Sequence, residues 1–393
     1  MNVPGPDEPD SGRRRGGLTV ARIAHLAGVS APTVSKVLNG RRGVASDTRL
    51  RIEQVIQDHG YRRQEQSEPT TPVVEVVFQA LDSLWALEIV RGVSQVVRPH
   101  GLAVAVSEMG GHLTPDEAWT RDVLARRPAG VVAVSAKLTE LQSRQLASRA
   151  VPLVIVDPSG EPAHQTPSVG ATNWNGGLMA ARHLLELGHR RIAMINGPDE
   201  FLCCRARLDG YRAGADAAGI SLDPDLVRTA PLYVQGGFAE ADVLLALPDP
   251  PTAIFAANDL QALGVYEAAR AAGVRIPQEL SVVGFDDLPF AQWVGPALTT
   301  VQQPLLKMGA TAAELVLALA DGRRPEHDRI ELATTLIVRD STAPPTDSRP
   351  TADSRSPTDS RPTADSRSPT DSRPTADSRS ATDSRSAARR RRR

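Results

Sequence analysis

Residues 19–61 decide the fold of the N-terminal part of this chain, and they read TVARIAHLAGVSAPTVSKVLNGRRGVASDTRLRIEQVIQDHGY. The apolar residues at both ends of this stretch recur with the 3.6-residue period of an amphipathic helix. Between them, Gly28 gives the backbone freedom for a tight turn, and Ser30 is placed to cap a second helix with Pro32 in its first turn. The stretch therefore predicts three short helices, of which the first two form a helix-turn-helix unit.

The charge of this region differs from that of the whole chain. Residues 13–63 contain eleven Lys or Arg and three Asp or Glu, a net charge of +8, whereas the full chain carries −1. Such an excess favours contact with nucleic-acid phosphates, because binding releases their counterions. The alternative is a small helical domain with a solvated basic face. We favour DNA binding, with the second helix in the major groove.

The motif resembles the helix-turn-helix of the LacI/GalR family of bacterial transcription regulators. The matching residues are Thr19, Ile23, Ala24, residues 27–30, residues 33–36, Leu38 and Asn39. The resemblance implies that Ala31, Pro32 and Lys36 face base edges, where Lys36 can donate to guanine. Further predicted DNA-binding residues, suited mostly to phosphate oxygens, are Thr19, Ser30, Thr33, Ser35 and Asn39. For Thr33 and Ser35 the alternative is capping and packing within the helix pair.

Composition and motifs argue against several other classes of protein. No run approaches the roughly 18 apolar residues of a membrane span, and the N-terminus lacks an apolar secretory signal, so we predict a cytoplasmic protein. The two cysteines are adjacent, and no Cys/His cluster has zinc-site spacing, so neither a metal nor a cofactor is predicted. No nucleophile elbow or phosphate-binding glycine loop is present, so the chain is not expected to be an enzyme.

From Val73 the sequence alternates short apolar runs with amphipathic stretches, in two successive sets. This order predicts a two-lobed α/β core with doubly wound parallel sheets. Ligands of such folds bind beyond the carboxyl ends of the strands, here in the cleft between the lobes. Segments such as residues 169–173, 187–192, 253–259 and 281–287 are similar to the periplasmic-binding-protein-like core of the same family, and this resemblance spans about residues 73–340.

The resemblance implies that a small sugar binds in this cleft. It assigns effector contacts to Arg207, Asn258, Asp286 and Gln303. Position after a strand adds further candidates, namely Asp157, Asp82 and the possible stacking ring Trp85. For Asp157 and Asp286 the alternatives are helix capping or a salt bridge between the lobes. For Trp85 the alternative is a position in the core. A family member that responds to a purine, or to no effector, is an open alternative. A transport-type sugar-binding protein is not expected, because such a protein would lack the N-terminal DNA-binding unit.

These observations predict five segments. They are a disordered basic arm (residues 1–17), the DNA-binding domain (18–61), a linker or hinge (62–72), the effector-binding and dimerisation domain (73–340), and a disordered tail (341–393) that repeats DSRPTADSRSPT. Family members place a leucine wedge in the hinge, and this linker has none, so we expect little kinking of the DNA. A homodimer on a palindromic operator is predicted. Without a leucine heptad after the core, no coiled-coil tetramer is expected.

Overall fold

The computed structural model describes residues 19–38, 43–58, 71–81, 84–110, 112–160 and 166–346. Its N-terminal part consists of three helices, α1 (Val20–Ala27), α2 (Ala31–Leu38) and α3 (Ser46–Asp58). Each helix contributes one fully buried aliphatic residue to a common core: Ile23, Val34 and Ile52. Burial of such side chains contributes about 1.5–3 kcal/mol each, which compensates for the small size of the unit.

Local signals begin and end the first two helices as the sequence predicts. The hydroxyl of Thr19 accepts a hydrogen bond from the Arg22 N–H at 3.3 Å, which caps α1. Gly28 ends α1 in the left-handed region at φ 65°, where a residue with a Cβ would be strained. Ser30 directly precedes α2, and its hydroxyl lies 2.8 Å from that of Thr33. The helix-turn-helix is therefore confirmed.

The rest of the described chain forms two six-stranded sheets with helices on both faces. The first sheet has the strand order β11-β5-β4-β3-β1-β2 and is parallel throughout. Its strands are β1 (Thr71–Phe78), β2 (Ala103–Glu108), β3 (Pro128–Val134), β4 (Leu153–Val156), β5 (Ser168–Ala171) and β11 (Arg329–Leu332). Four helices flank it: α4 (Leu84–Val97), α5 (Glu117–Arg126), α6 (Glu140–Ser148) and α11 (Leu305–Ala320). We call this the first lobe.

The second lobe repeats the arrangement with the strand order β12-β10-β9-β8-β6-β7. Its strands are β6 (Ile192–Asn196), β7 (Val227–Thr229), β8 (Ala253–Ala256), β9 (Ser281–Asp286), β10 (Thr299–Gln302) and the antiparallel β12 (Thr335–Ile337). Its helices are α7 (Asn173–Glu186), α8 (Leu202–Ala217), α9 (Val234–Leu245) and α10 (Asp259–Ala272). The predicted doubly wound, two-lobed α/β core is confirmed.

The chain passes between the lobes three times: from β5 to α7, from β10 to α11, and from β11 to β12. Two of these passages are joined by hydrogen bonds, since the Thr334 N–H donates to the Thr172 hydroxyl at 3.0 Å and the Thr172 N–H donates to the Leu332 carbonyl at 3.0 Å. Residues Thr299–Gln302 form β10 within the second sheet, and the crossing to α11 follows this strand. The two lobes are therefore connected by three chain crossings.

Three sequence-based predictions of where elements and segments lie need correction. The strand β5 was not predicted, because four residues that include Gly170 carry little periodic signal. The core begins at Thr71, so the last two residues of the predicted linker belong to β1. The predicted tail began at residue 341, but Ser341 is fully buried and its hydroxyl accepts the Thr299 N–H at 2.7 Å. Residues 341–346 therefore belong to the second lobe; the DSR repeats lie outside the described residues.

Helices α7 and α8 approach closely through glycines, which makes a test of packing possible. A Cβ built on Gly210 would overlap the backbone carbonyl oxygen of Trp174, so Gly210→Ala must separate the two helices. We expect it to lower the free energy of unfolding by about 1–3 kcal/mol, measured by urea denaturation. Gly170→Ala is the control, because no atom lies within 4 Å of its built Cβ. Equal midpoints for the two variants would contradict the prediction.

Candidate functional site

The exposed face of α2 is the first candidate site. Ala31, Pro32 and Lys36 are exposed, whereas Val34 and Val37 turn inward and pack on α1 and α3. Neither α1 nor α2 contains an acidic residue, and each carries a base, Arg22 or Lys36. An exposed positive face on a helix-turn-helix matches the negative potential of DNA.

Four further residues predicted to bind DNA lie on or beside this face. Thr19, Ser30 and Ser35 are exposed, and Thr33 is half-buried. The hydroxyl of Thr19 caps α1, and those of Ser30 and Thr33 contact each other, so these side chains also stabilise the unit. The eighth predicted residue, Asn39, lies outside the described residues. The structure thus brings seven of the eight predicted residues to one part of the unit.

The second candidate site lies where strands end between the two lobes. Non-glycine residues with positive φ occur directly after β3 and β4 and at the end of β9: Ser135 at 49°, Asp157 at 49°, and Asp286 and Asp287 at 109° and 57°. Each such conformation costs on the order of 1–3 kcal/mol and persists only where the surrounding structure holds it. Four of the six non-glycine residues with positive φ in the described chain therefore lie at the carboxyl ends of parallel strands, where ligands of such folds bind.

A cavity of about 260 Å³ occupies this cleft and is lined by both lobes. The first lobe supplies apolar and polar groups that include Phe78, Trp85, Ser135 and Asp157. The second lobe supplies Phe201, Cys203, Arg207, Tyr233, Asn258, Asp286 and Leu288. Aromatic walls with a few fixed polar groups are the usual composition of a small-molecule site.

Arg207 is the central cation of the cleft and is held by the second lobe. Its Nε donates to Asn173 Oδ1 at 2.9 Å, and its Nη1 donates to the backbone carbonyl of Ala257 at 2.6 Å. Its guanidinium carbon lies 3.7 Å from the centre of the Phe285 ring, and its Nη2 lies 3.8 Å from Asp286 Oδ1. The side chain is 3% exposed, so its position is set before any ligand arrives.

Two buried carboxyl groups, Asp286 and Asp157, act on this cation, and a third, Asp259, acts on Asp286. Burial raises the pKa of Asp286 to about 6, although the Arg207 guanidinium and a hydrogen bond from Gln303 Nε2 at 2.6 Å act in the opposite direction. Burial also raises the pKa of Asp157, again opposed by Arg207. Asp259 lies behind Asp286, and burial followed by repulsion from Asp286 raises its pKa well above the usual range. The cleft is therefore a strongly perturbed electrostatic environment, typical of functional sites.

Comparison with known proteins finds matches for both parts of the chain. Residues 19–64 match the family described as bacterial regulatory proteins, lacI family, and residues 181–342 match the periplasmic binding protein-like domain. The HTH-type transcriptional repressor PurR of Vibrio vulnificus (strain CMCP6) is 29% identical over 330 residues, which cover 82% of this chain and 98% of that protein.

Solved structures extend the match to the whole described fold. A transcriptional regulator CelR–cellobiose complex is 32% identical, with a TM-score of 0.62, and covers 82% of this chain and 99% of that one. The lac repressor dimer bound to operator and the anti-inducer ONPF is 26% identical, with a TM-score of 0.60, and covers 84% of this chain and 100% of that one.

The chain belongs to the LacI family of bacterial regulatory proteins. It is a DNA-binding transcriptional repressor and not an enzyme. In the described part of this LacI-family chain, no group of three or more His, Cys, Asp or Glu side chains is arranged to hold a metal ion. Across the same ranges, no helix is both long and apolar enough to cross a membrane.

The LacI-family cleft contains most, but not all, of the predicted effector-binding residues. Trp85, Asp157, Arg207, Asn258 and Asp286 line the cavity. Gln303 is 3% exposed and does not; it lies behind Asp286 and orients that carboxyl group, so the predicted direct contact is corrected to a positioning role. Asp82 lies outside the described residues.

The contacts give two of the predicted polar residues partners within the second lobe. Asp286 does pair with Arg207, although both belong to the second lobe and the pair does not bridge the lobes. Asn258 caps α10, since its Oδ1 accepts the Gln261 N–H at 2.8 Å and its Nδ2 donates to the Leu232 carbonyl at 3.0 Å. Arg207, unlike Asp157 and Asp286, lies within a helix, α8.

Several lining residues were not predicted from the sequence. Phe201, Cys203 and Tyr233 lie near the starts of α8 and α9, on the connections that follow β6 and β7. These residues could have been predicted from the sequence, because connections that follow parallel strands commonly line the ligand site. Cys203 was considered only as half of a disulfide or metal site, and both cysteines are free, buried thiols.

Proposed function

We propose that this LacI-family repressor binds a palindromic operator as a homodimer, and that a small sugar in the cleft between its lobes modulates the binding. The cleft carries this proposal, because buried Asp157, Arg207 and Asp286 are fixed beside aromatic walls. Charged groups of this kind bind vicinal hydroxyls in pairs, and aromatic surface suits the C–H face of a sugar ring. In this proposal residues 18–61 are the DNA-binding domain, and the effector-binding and dimerisation domain extends from 71 to 346.

The sugar is favoured over a purine by one comparison and by the site. The CelR relative is complexed with cellobiose, and the cleft offers carboxylates suited to hydroxyl donors. The experiment is a thermal-shift panel of monosaccharides, disaccharides and purine bases with the full-length protein. A sugar should raise the melting temperature, since it binds only the folded state. A response to purines alone would establish the second candidate, and no response to any sugar would reject the proposal.

Effector binding can be transmitted because the ligand contacts both lobes. Phe78, Trp85 and Asp157 belong to the first lobe, into which the chain enters from the DNA-binding unit through β1. Arg207 and Asp286 belong to the second lobe. A ligand that bridges the two sets stabilises one lobe orientation and so changes the spacing of the two DNA-binding units in a dimer. We also propose that the protein acts in the cytoplasm, as the sequence predicts, because its proposed partner is DNA.

Recognition of operator bases by α2 should depend on Lys36. Lys36→Ala removes the exposed ammonium that can donate to guanine O6 or N7. We expect operator affinity to fall by about 10- to 100-fold and discrimination to relax at one base pair in each half-site. Gel-shift titration with a set of single-base operator variants measures both effects. Lys307→Ala is the control, because it removes an exposed lysine from α11, outside the DNA-binding unit. Unchanged specificity in Lys36→Ala would argue against base contact.

The composition of the linker bears on the shape of the bound DNA. Residues 62–69, which lack the leucine that could wedge into the minor groove, lie outside the described residues. We propose that residues 30–39 read the major groove with little bending at the operator centre. A structure of the complex with a sharply kinked dyad would contradict this.

A further inference from the structure

Two hydrogen-bond donors of the cleft, Arg207 and Asn258, are engaged by the protein itself. Arg207 uses Nε for Asn173 and Nη1 for the Ala257 carbonyl, and its remaining edge faces Asp286. Asn258 uses its amide to cap α10 and to hold the Leu232 carbonyl. These groups are fixed by internal partners, so they have limited capacity to bind the oxygens of a ligand.

The acceptors of the cleft are more available. Asp286 lines the cavity, and its Oδ1 accepts from Gln303 and lies near Arg207, which leaves Oδ2 without a hydrogen-bond donor among the described residues. Asp157 lines the cavity, and its neighbour there is the weakly donating thiol of Cys203. Among the described lining residues, three are acidic (Asp157, Glu200 and Asp286) and one, Arg207, is basic. The wall therefore carries a formal excess of negative charge.

A ligand must complement this wall. Hydroxyl groups can donate to the two aspartates, and they bring no charge into a site where carboxyl groups are already buried. A phosphate or carboxylate group would add an acceptor and a negative charge beside Asp157 and Asp286, with only the partly occupied Arg207 to oppose them. Like-charge contact of this kind discriminates strongly between partners.

We propose that the effector is an uncharged saccharide, and that Asp157 and Asp286 select against sugar phosphates and uronates. This proposal rests on the sugar function proposed above and specifies the class of sugar. The aspartates donate nothing in this scheme; they accept hydrogen bonds from vicinal hydroxyls and repel anionic substituents. On this basis the charged derivative of the effector binds on the order of 100-fold more weakly than a neutral derivative of the same shape.

The experiment uses the full-length protein and whichever parent sugar raises its melting temperature most. Calorimetric titration compares the uronate of that sugar with its uronamide, a neutral group of nearly equal size, and also tests the 6-phosphate. We expect the uronamide to bind about 100-fold more tightly than the uronate, and the phosphate to bind no better than the uronate. If the uronate binds as tightly as the uronamide, the charge selection is wrong although the sugar function stands. If no sugar binds at all, both proposals fail.

Two variants test which carboxyl groups select against anionic sugars. Asp157→Asn and Asp286→Asn should each reduce the ratio of uronamide to uronate affinity about 10-fold, because a carboxylate is replaced by a neutral amide of the same shape. This ratio is insensitive to a general loss of folding, since both ligands report on the same folded protein. Asp209→Asn on the exposed side of α8 is the control and should leave the ratio unchanged. An unchanged ratio in both cleft variants would overturn the assignment to these aspartates.

Discussion

Arg207→Ala is expected to lower the free energy of unfolding by about 3–5 kcal/mol and to abolish effector binding. The guanidinium is 3% exposed, bonds Asn173 and the Ala257 carbonyl, and lies beside the Asp286 carboxylate. Removal leaves buried carboxyl groups without their cation and a buried carbonyl without its donor. Urea denaturation followed by circular dichroism measures the stability, and calorimetry measures effector binding.

Arg212→Ala is the matched control for this variant. Arg212 lies on the same helix, but its pair with Asp209 is exposed, so we expect a change below about 1 kcal/mol. The double variant Arg207→Ala with Asp286→Asn removes the uncompensated charge and should recover part of the lost stability. Similar midpoints for Arg207→Ala and Arg212→Ala would show that the buried cation is not essential to the cleft.

The loss of unfolding free energy caused by Arg207→Ala, called the deficit below, should also become smaller as the pH falls. The folded-state pKa of Asp286, about 6, lies above the roughly 3.9 of an unfolded aspartate, so the folded protein binds the proton more tightly. Protonation of this carboxyl therefore stabilises the fold as the pH falls through about 6. Loss of the cation strengthens that effect, so the deficit should be smaller at pH 5 than at pH 7.5. A deficit that grows on acidification would contradict this assignment.

The double variant Leu87→Asp with Trp293→Asp is expected to convert the protein to a monomer and to weaken operator binding about 100-fold or more. Trp293 is 80% exposed in the second lobe, and Leu87 is 51% exposed on α4 of the first. Leu84, one turn before Leu87, is also exposed. We propose that these exposed apolar side chains contribute to the dimer interface, where their burial would stabilise the dimer. A monomer binds each half-site alone and loses the advantage of linked contacts.

Light scattering after size exclusion measures the mass, and gel shifts measure the affinity. Leu141→Asp on α6 is the control, because it introduces the same charge at a comparably exposed leucine, 43% exposed. It should leave the mass unchanged. A double variant that retains the mass of the parent would place the dimer interface elsewhere, and a control that also dissociates would point to general misfolding.

The DNA-binding unit could be predicted almost completely from the sequence because its determinants are local. Thr19 caps the helix that follows it, Gly28 ends that helix, and the spacing of Ile23 and Val34 places both in one small core. Each of these effects acts over a few residues. The α/β class was similarly predictable, since buried parallel strands such as β3 and β9 are continuous apolar runs.

The cleft needed the tertiary structure. Sequence order indicated that Asp157 and Asp286 follow strands, but not that Gln303 lies behind Asp286, nor that Asn258 is engaged by Leu232. These contacts join residues 17 to 26 positions apart. They depend on how the lobes and loops pack.

The sequence by itself determined the helix-turn-helix, the family and the alternation of strands and helices, because caps, turns and apolar periodicity act over short distances. The tertiary structure decided which polar groups remain available in the cleft and where the fold ends. Arg207 is immobilised by partners 34 and 50 residues away, and Ser341 is drawn into the second lobe by the Thr299 N–H. Hydrogen bonds between distant segments form only after the chain has folded, so no local pattern records them.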